Sequence, residues 1–240
     1  MSQPSSSRDA SKDPTPSPRT ALVVGANRGI GLALCRHLGQ RGRRVIAACR
    51  QSSPALDAER ARGVRVETGV DVTAQASVDA LARGLGDAKL DELWCNAGIL
   101  REDDLDDVGM EEVRAQIEVN AIGPLRVVKA LRARLARPAK IALVTSRMGS
   151  IGDNGSGGSY GYRMSKAALN AAGVSLARDL AEAGVAVAVL HPGYVRTDMT
   201  GGHGNVDADT AAAQLIDRID ALTPATTGTF WHANGQVLPW

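Results

Sequence analysis

The apolar positions fall into short runs, separated by stretches in which apolar residues recur at helical spacing. Ala21–Val24, Arg44–Cys49, Val64–Val70, Glu92–Asn96, Lys140–Ser146, Val185–Leu190 and Thr229–His232 read as seven strands. Ile30–Gln40, Ser77–Leu85, Met110–Leu135, Gly161–Ala183 and Asp207–Leu222 predict helices, with one more between the second and third strands. Runs such as IALVTS and VAVAVL are apolar on both faces. Strands of that kind are buried from both sides, as in a parallel sheet with helices on each face. The pattern predicts one α/β domain over residues 21–240, a doubly wound parallel seven-stranded sheet. Its binding crevice should lie at the carboxyl ends of the strands.

Residues 1–20, MSQPSSSRDASKDPTPSPRT, break the pattern. Ser, Thr and Pro dominate, and nothing apolar offsets the entropy of ordering, so a disordered tail is expected. No apolar stretch follows the Met as a signal peptide needs, and Asp9 and Asp13 speak against a transit peptide. Lys plus Arg number 28 against 26 Asp plus Glu, a net charge of +2 that makes no electrostatic case for nucleic acid or an anionic membrane. Aromatics are 3%, so Ala, Val, Leu and Ile must fill the core, and stacking platforms for single strands are scarce. Cys35, Cys49 and Cys95 are scattered, which points to a reducing compartment such as the cytoplasm. The apolar runs are far too short to span a bilayer. His191, His203 and His232 lack ligand spacing with Cys or acids, so no metal is expected.

The first strand runs into GANRGIG, with Gly25, Gly29 and Gly31 opening a helix. Glycines there allow a tight turn and bring backbone N–H groups, with Asn27, Arg28 and Ile30 between them, up to a pyrophosphate at the helix N-terminus. The second strand ends in Arg50, where an acid would hold a ribose 2′-hydroxyl. Two guanidinium groups, Arg28 and Arg50, suit a 2′-phosphate instead, and so NADP rather than NAD.

Tyr162 and Lys166 are spaced i, i+4 and share one helix face. An ammonium beside a phenol would lower its pKa from about 10 toward neutrality. Ser146 ends the strand IALVTS at the rim of the crevice, where its hydroxyl can donate to a carbonyl oxygen gaining charge. Asn120 lies four residues before Pro124 inside the long helix. Proline removes the N–H that the Asn120 carbonyl would meet, so the helix should bend there, with a water at that carbonyl near Lys166. Taken singly, each feature also occurs without function: a flexible turn, a surface pair, a strand-end cap, a plain proline kink.

Together these residues resemble the short-chain dehydrogenase/reductase family over roughly residues 20–240. The resemblance rests on Gly25-x-x-x-Gly29-x-Gly31, Asp71-Val72, Asn96-Ala97-Gly98, Asn120, Ser146, Tyr162-x-x-x-Lys166 and Pro192-Gly193-Tyr194-Val195-Arg196-Thr197. It implies a Rossmann fold binding NADP(H). Asp71 and Val72 would meet the adenine, and Asn96-Ala97-Gly98 would border the cofactor. Val195 and Thr197 would hold the nicotinamide carboxamide, and Pro192 and Gly193 would contact the cofactor. Asn120, Ser146, Tyr162 and Lys166 would form a catalytic tetrad. Three departures stand out: Val24 where the family usually has Thr, Cys95 where it has Asn, and three extra residues between Ser146 and Tyr162. That longer loop and the Leu-Pro-Trp at 238–240 look like the C-factor and sniffer-like branch.

The resemblance implies hydride transfer from NADPH to an aldehyde or ketone, with Tyr162 as proton donor, Ser146 polarising the carbonyl and Lys166 on the ribose. Tyr160 competes for the first role, but Met164 occupies its i+4 position. The short glycine-rich stretch after Thr197 (Gly201, Gly202, Gly204) suggests a mobile, minimal lid and an open site. An alternative from another class is an NADP-binding signalling protein of the C-factor type with little turnover. Small residues on the Gly161–Ala183 helix (Ala167, Ala168, Ala171, Ala172, Gly173) suit close packing in a homodimer or homotetramer.

Overall fold

A computed structural model describes residues 17–240; the tail expectation for residues 1–16 lies outside the described residues. Strand β1 (Thr20–Val24) opens the domain, with Thr20 already buried. Then follow α1 (Gly29–Gln40), β2 (Arg44–Ala48), α2 (Pro54–Arg60), β3 (Arg65–Glu67), α3 (Gln75–Gly84) and β4 (Leu90–Cys95). The second half holds α4 (Met110–Ile117), α5 (Gly123–Leu131), β5 (Leu135–Val144), α6 (Tyr160–Asp179), β6 (Val185–His191), α7 (Ala208–Ala221) and β7 (Phe230–His232). All seven strands run parallel in the order β3-β2-β1-β4-β5-β6-β7. The chain winds outward from β1 to β3, then returns to β4 on the other side of β1. The switch lies between β1 and β4, where open α/β sheets bind ligands.

Alternation along each strand builds two cores. Leu22 and Val24 of β1, Ile46 of β2, Leu93 of β4, Ile141 and Leu143 of β5 and Val187 of β6 face α3, α5 and α6. Ala21, Val23, Val45, Trp94, Ala142, Ala186 and Ala188 face α1, α2 and α7. The strand side of the second face is rich in alanine, and fully buried Trp94 is its largest side chain. Its indole N–H donates to Glu92 at 3.1 Å, and Glu92 also accepts from Arg43 at 3.2 Å. Glu92 is buried in the second strand of the switch, and those two donors satisfy its carboxylate oxygens.

The long helix expected over Met110–Leu135 is not continuous. It divides into α4, a π-helical turn over Glu118–Ile122 and α5; a 3-10 turn follows over Arg132–Arg134, and Leu135 already belongs to β5. Pro124 deprives the Asn120 carbonyl of its regular donor, and the backbone answers by widening, with the Gly123 N–H bonded to the Glu118 carbonyl. Gly123 also has to be small: a Cβ there would sit 2.9 Å from Val72. Helix α6 ends at Asp179, short of Ala183, and β5 ends at Val144, so Ser146 lies just beyond its strand.

Glu92→Ala should lower unfolding stability by about 2–3 kcal/mol, because a buried indole N–H is orphaned and Arg43 loses a buried partner. Glu92→Gln keeps an acceptor and should cost less. Urea denaturation of the three proteins measures this, and equal midpoints would contradict it.

Candidate active site

A cleft of about 520 Å³ opens at the carboxyl ends of β1, β2 and β4. The turn after β1 forms its floor. Gly25 has φ +86°, and a Cβ there would lie 2.6 Å from the Ala97 backbone, so only glycine lets the two strand ends touch. Gly31 does not line the cleft; inside α1, its Cβ would fall 2.0 Å from the Gly25 carbonyl, so this glycine serves packing. The Asn96 amide donates to that carbonyl at 2.9 Å, and the Asn96 and Ala97 N–H groups donate to the Val24 carbonyl at 3.0 and 2.9 Å. Asn27, Arg28, Gly29 and Ile30 line the α1 end of the cleft. Among the described residues no side chain caps α1, so its first N–H groups face the cleft unpaired by side chains.

Arg50, Asp71 and Val72 form the β2–β3 wall, and Ala97, Gly98 and Thr197 lie opposite. Asp71 accepts from the Thr73 backbone and hydroxyl at 2.9 and 2.8 Å; these bonds, with the Arg50 and Arg126 charges, hold its carboxyl below the usual range. Arg28 reaches across the cleft to Asp198 at 3.1 Å.

Tyr162 and Lys166 come to the inner end of the cleft on α6, both buried. The Asp103 carboxylate, from the segment after β4, accepts from the Tyr160 N–H and holds the start of α6. Tyr160 and Met164 turn to solvent, which leaves Tyr162 as the inward phenol. The Lys166 ammonium lies 5.6 Å from the Tyr162 ring centroid and donates to the Val144 carbonyl at 3.1 Å. Burial pushes the Tyr162 phenol up to about 12, with the Ser146 hydroxyl drawing part of that back. Burial pulls Lys166 down to about 8. The net direction is thus opposite to the lowering expected from the ammonium, and its cause is desolvation. Ser146 caps the 3-10 turn that follows β5, its hydroxyl accepting from the Met148 N–H at 3.1 Å.

Asn120 is fully buried and does not line the cleft. Its amide exchanges two 2.8 Å hydrogen bonds with the Ile99 backbone and donates to Ser165 at 3.0 Å. The sequence pointed to its carbonyl; the side chain proves to tie the segment after β4 to α6.

A sequence profile described as short chain dehydrogenase matches residues 19–206. The chain belongs to that family. A 1-hydroxy-2-glutathionyl-2-methyl-3-butene dehydrogenase of Rhodococcus sp. (strain AD45) is 47% identical over 227 residues, covering 92% of this chain and 99% of that protein. The C-signal of Myxococcus xanthus is 39% identical over 165 residues, 68% of this chain and 93% of that one. An NADPH-bound carbonyl reductase from chicken fatty liver superposes with a TM-score of 0.86 at 29% identity, covering 93% of this chain and 99% of that one.

In this short-chain dehydrogenase the three departures are absorbed by packing. Val24 and Cys95 are buried side by side in register, and the Asn96 amide fastens the two strand ends. The longer loop is pinned rather than loose: Arg163 bonds Gly158 O at 3.1 Å and Ser156 Oγ at 2.8 Å. The segment after Thr197 is also held, by Thr200 Oγ1 on the Val195 carbonyl at 2.9 Å and by the Val195–Val206 bridge. Val195 is thus buried in a bridge outside the cleft lining, and Pro192 and Gly193 lie outside it too. Sequence reasoning missed Val24, Cys49, Val70, Thr73, Ile99, Val119, Asp198 and Met199, which do line the cleft. Each lies within two residues of a motif position, and that adjacency was the available signal. Among the described residues no group of three or more His, Cys, Asp or Glu could hold a metal, and no helix is long and apolar enough to cross a membrane.

Lys166 titrates lower when folded than its ordinary 10.5. Between the folded and unfolded values the unfolded chain binds the extra proton, so stability rises with pH across that window. Relative to Lys166→Met, the wild type should gain about 2 kcal/mol between about pH 7 and about pH 10. Urea midpoints at the two pH values measure it; a constant difference would contradict the burial.

Proposed function

We propose that the protein reduces the carbonyl group of a small aldehyde or ketone to an alcohol with NADPH. The observation that carries this reading is Tyr162, a buried phenol lining the cleft 5.6 Å from the Lys166 ammonium, where a proton donor is needed. The cleft fits the cofactor: a glycine turn that no Cβ could enter leads to a helix N-terminus without a side-chain cap, flanked by two arginines. Gly25, Gly29 and the α1 N–H groups would take the pyrophosphate, and Arg28 and Arg50 a 2′-phosphate. Asp71 and Val72 would border the adenine, Asn96, Ala97 and Gly98 the ribose side, and Thr197 the nicotinamide. The bound cofactor supplies the hydride. Tyr162 Oη gives its proton to the carbonyl oxygen. Ser146 orients and polarises that oxygen through its hydroxyl. Lys166 would hold a ribose hydroxyl and, still an ammonium at neutral pH, would stabilise the phenolate that proton donation leaves on Tyr162. Asn120 keeps Lys166 in place through Ser165, one residue before it.

Of the relatives, the Rhodococcus protein bears the name of an alcohol dehydrogenase acting on a glutathionyl compound. It favours a second reading, alcohol oxidation in the same site. That direction runs the same proton transfer backwards, with Tyr162 taking the alcohol proton. The C-signal likeness keeps a third reading, NADP binding with little turnover. Three buried thiols, Cys35, Cys49 and Cys95, support a reducing, cytoplasmic setting. For assembly we favour a homodimer or homotetramer through α5 and α6. Gly173 packs against Val189 in the core, so the outward small residues are Ala168 and Ala171, with Leu125 exposed on α5.

Tyr162→Phe should reduce carbonyl turnover by about 10²–10⁴-fold while NADPH still binds; NADPH absorbance over a carbonyl panel reads the first and a fluorescence titration the second. Turnover near wild type would refute the donor role. Wild type that binds NADPH and reduces nothing in the panel would favour the signalling reading. Arg50→Ala should raise the KM for NADPH by about tenfold and leave that for NADH unchanged, as loss of a charge-assisted phosphate contact requires; equal effects on both would contradict the 2′-phosphate assignment.

A further inference from the structure

Beyond β7 the chain turns at Ala233–Gly235 and runs back antiparallel along that strand. The His232 N–H donates to the Gln236 carbonyl at 2.8 Å, Val237 bridges Trp231, and the Leu238 N–H donates to the Phe230 carbonyl at 2.9 Å. Leu238 and Phe230 are buried, and the Trp240 ring stacks on Phe230 with centroids 5.4 Å apart at 23°. This fixes the Trp240 main-chain oxygen, which accepts from the Gly152 N–H at 2.7 Å and from the Ser150 hydroxyl at 3.1 Å. Those two residues belong to the loop that leaves Ser146.

The loop transmits the restraint inward. Ser150 Oγ accepts from the Asp153 N–H at 3.1 Å, and Asp153 pairs with Arg147, the residue after Ser146. Gly149 lies directly on α6: a Cβ there would come 2.7 Å from the Lys166 backbone, and its carbonyl accepts from Asn170 at 3.3 Å. One side of the loop therefore rests on the helix that carries Tyr162 and Lys166. The other side hangs from Trp240. Neither the loop nor the Phe230–Trp240 segment lines the cofactor cleft.

We infer that Trp240, seated on Phe230, is a positioning residue for carbonyl reduction, setting the loop 147–153 and through it Ser146 without acting on the cofactor. The inference rests on the reductase reading above. A side chain that controls placement at a distance has a marked kinetic effect, since small displacements of reacting groups cost large factors in rate. Trp240→Ala removes the stack and leaves the main-chain oxygen without its anchor. It should lower kcat/KM for every carbonyl substrate in the panel by about tenfold or more, with the Kd for NADPH unchanged. Trp240→Phe, which can still stack, should recover most of the loss. Ser150→Ala, which removes only the hydroxyl between Trp240 and Asp153, should lose activity in the same direction by a smaller factor.

Hydrogen exchange supplies a readout independent of turnover: amides of residues 147–153 should exchange faster in Trp240→Ala while those of β1 and α1 keep wild-type rates. Unchanged kcat/KM together with unchanged exchange in the loop would overturn the inference. A fall in NADPH affinity as large as the fall in kcat/KM would overturn it too, showing a general structural role. Wild type that binds NADPH yet reduces no carbonyl overturns the reductase reading instead, and with it the catalytic half of the inference; exchange then decides the loop-anchoring half.

Discussion

The site depends on one buried amide. Asn120 sits without solvent contact between the segment after β4 and helix α6, and its side chain uses both of its ends. A polar side chain there is tolerable only because every bond is made, and those same bonds fix the distance between the two elements. The π-helical turn makes this possible. An uninterrupted helix would have no reason to aim Asn120 at both Ile99 and Ser165. A proline four residues on forces the backbone to widen, and the widened turn presents the amide. π-turns of this kind recur at functional sites because the altered bonding re-aims side chains.

The sheet supplies the other half of the geometry. Its switch between β1 and β4 is closed by contacts that admit no side chain at Gly25 and by the Asn96 amide. Those strand ends, held that closely, make the floor of the cleft. The low aromatic content has a consequence here. Alanines dominate the strand face toward α1 and α7, and a single buried indole with a carboxylate partner supplies the bulk there. The thiols of Cys35 and Cys95 are pushed up to about 12 by burial, so they behave as small apolar groups rather than nucleophiles.

Most of this architecture was readable from the chain. Strands apolar on both faces have few places to go but a covered parallel sheet, and all seven appear where their runs lie, with ends shifted by up to five residues, the most at the start of β5. The glycine turn, Arg50, Tyr162 and Lys166 come together as their spacing implied. What the pattern did not reveal is non-local. Helical periodicity runs on through Glu118–Ile122, so it cannot distinguish a bend from a π-turn. Nothing local at Ser150 or Gly152 says that residue 240 is their partner. The phenol's surroundings are non-local in the same way: an i, i+4 ammonium is visible in sequence, whereas the burial that raises the phenol comes from α6 packing on the sheet.

A crystal structure with NADP⁺ tests the central claim most directly. The account places the adenosine 2′-phosphate against Arg28 and Arg50, and the nicotinamide at the inner end beside Tyr162, with its reactive carbon within about 4 Å of where a carbonyl held by Ser146 and Tyr162 would sit. A nicotinamide bound elsewhere, or a 2′-phosphate away from both arginines, would contradict it.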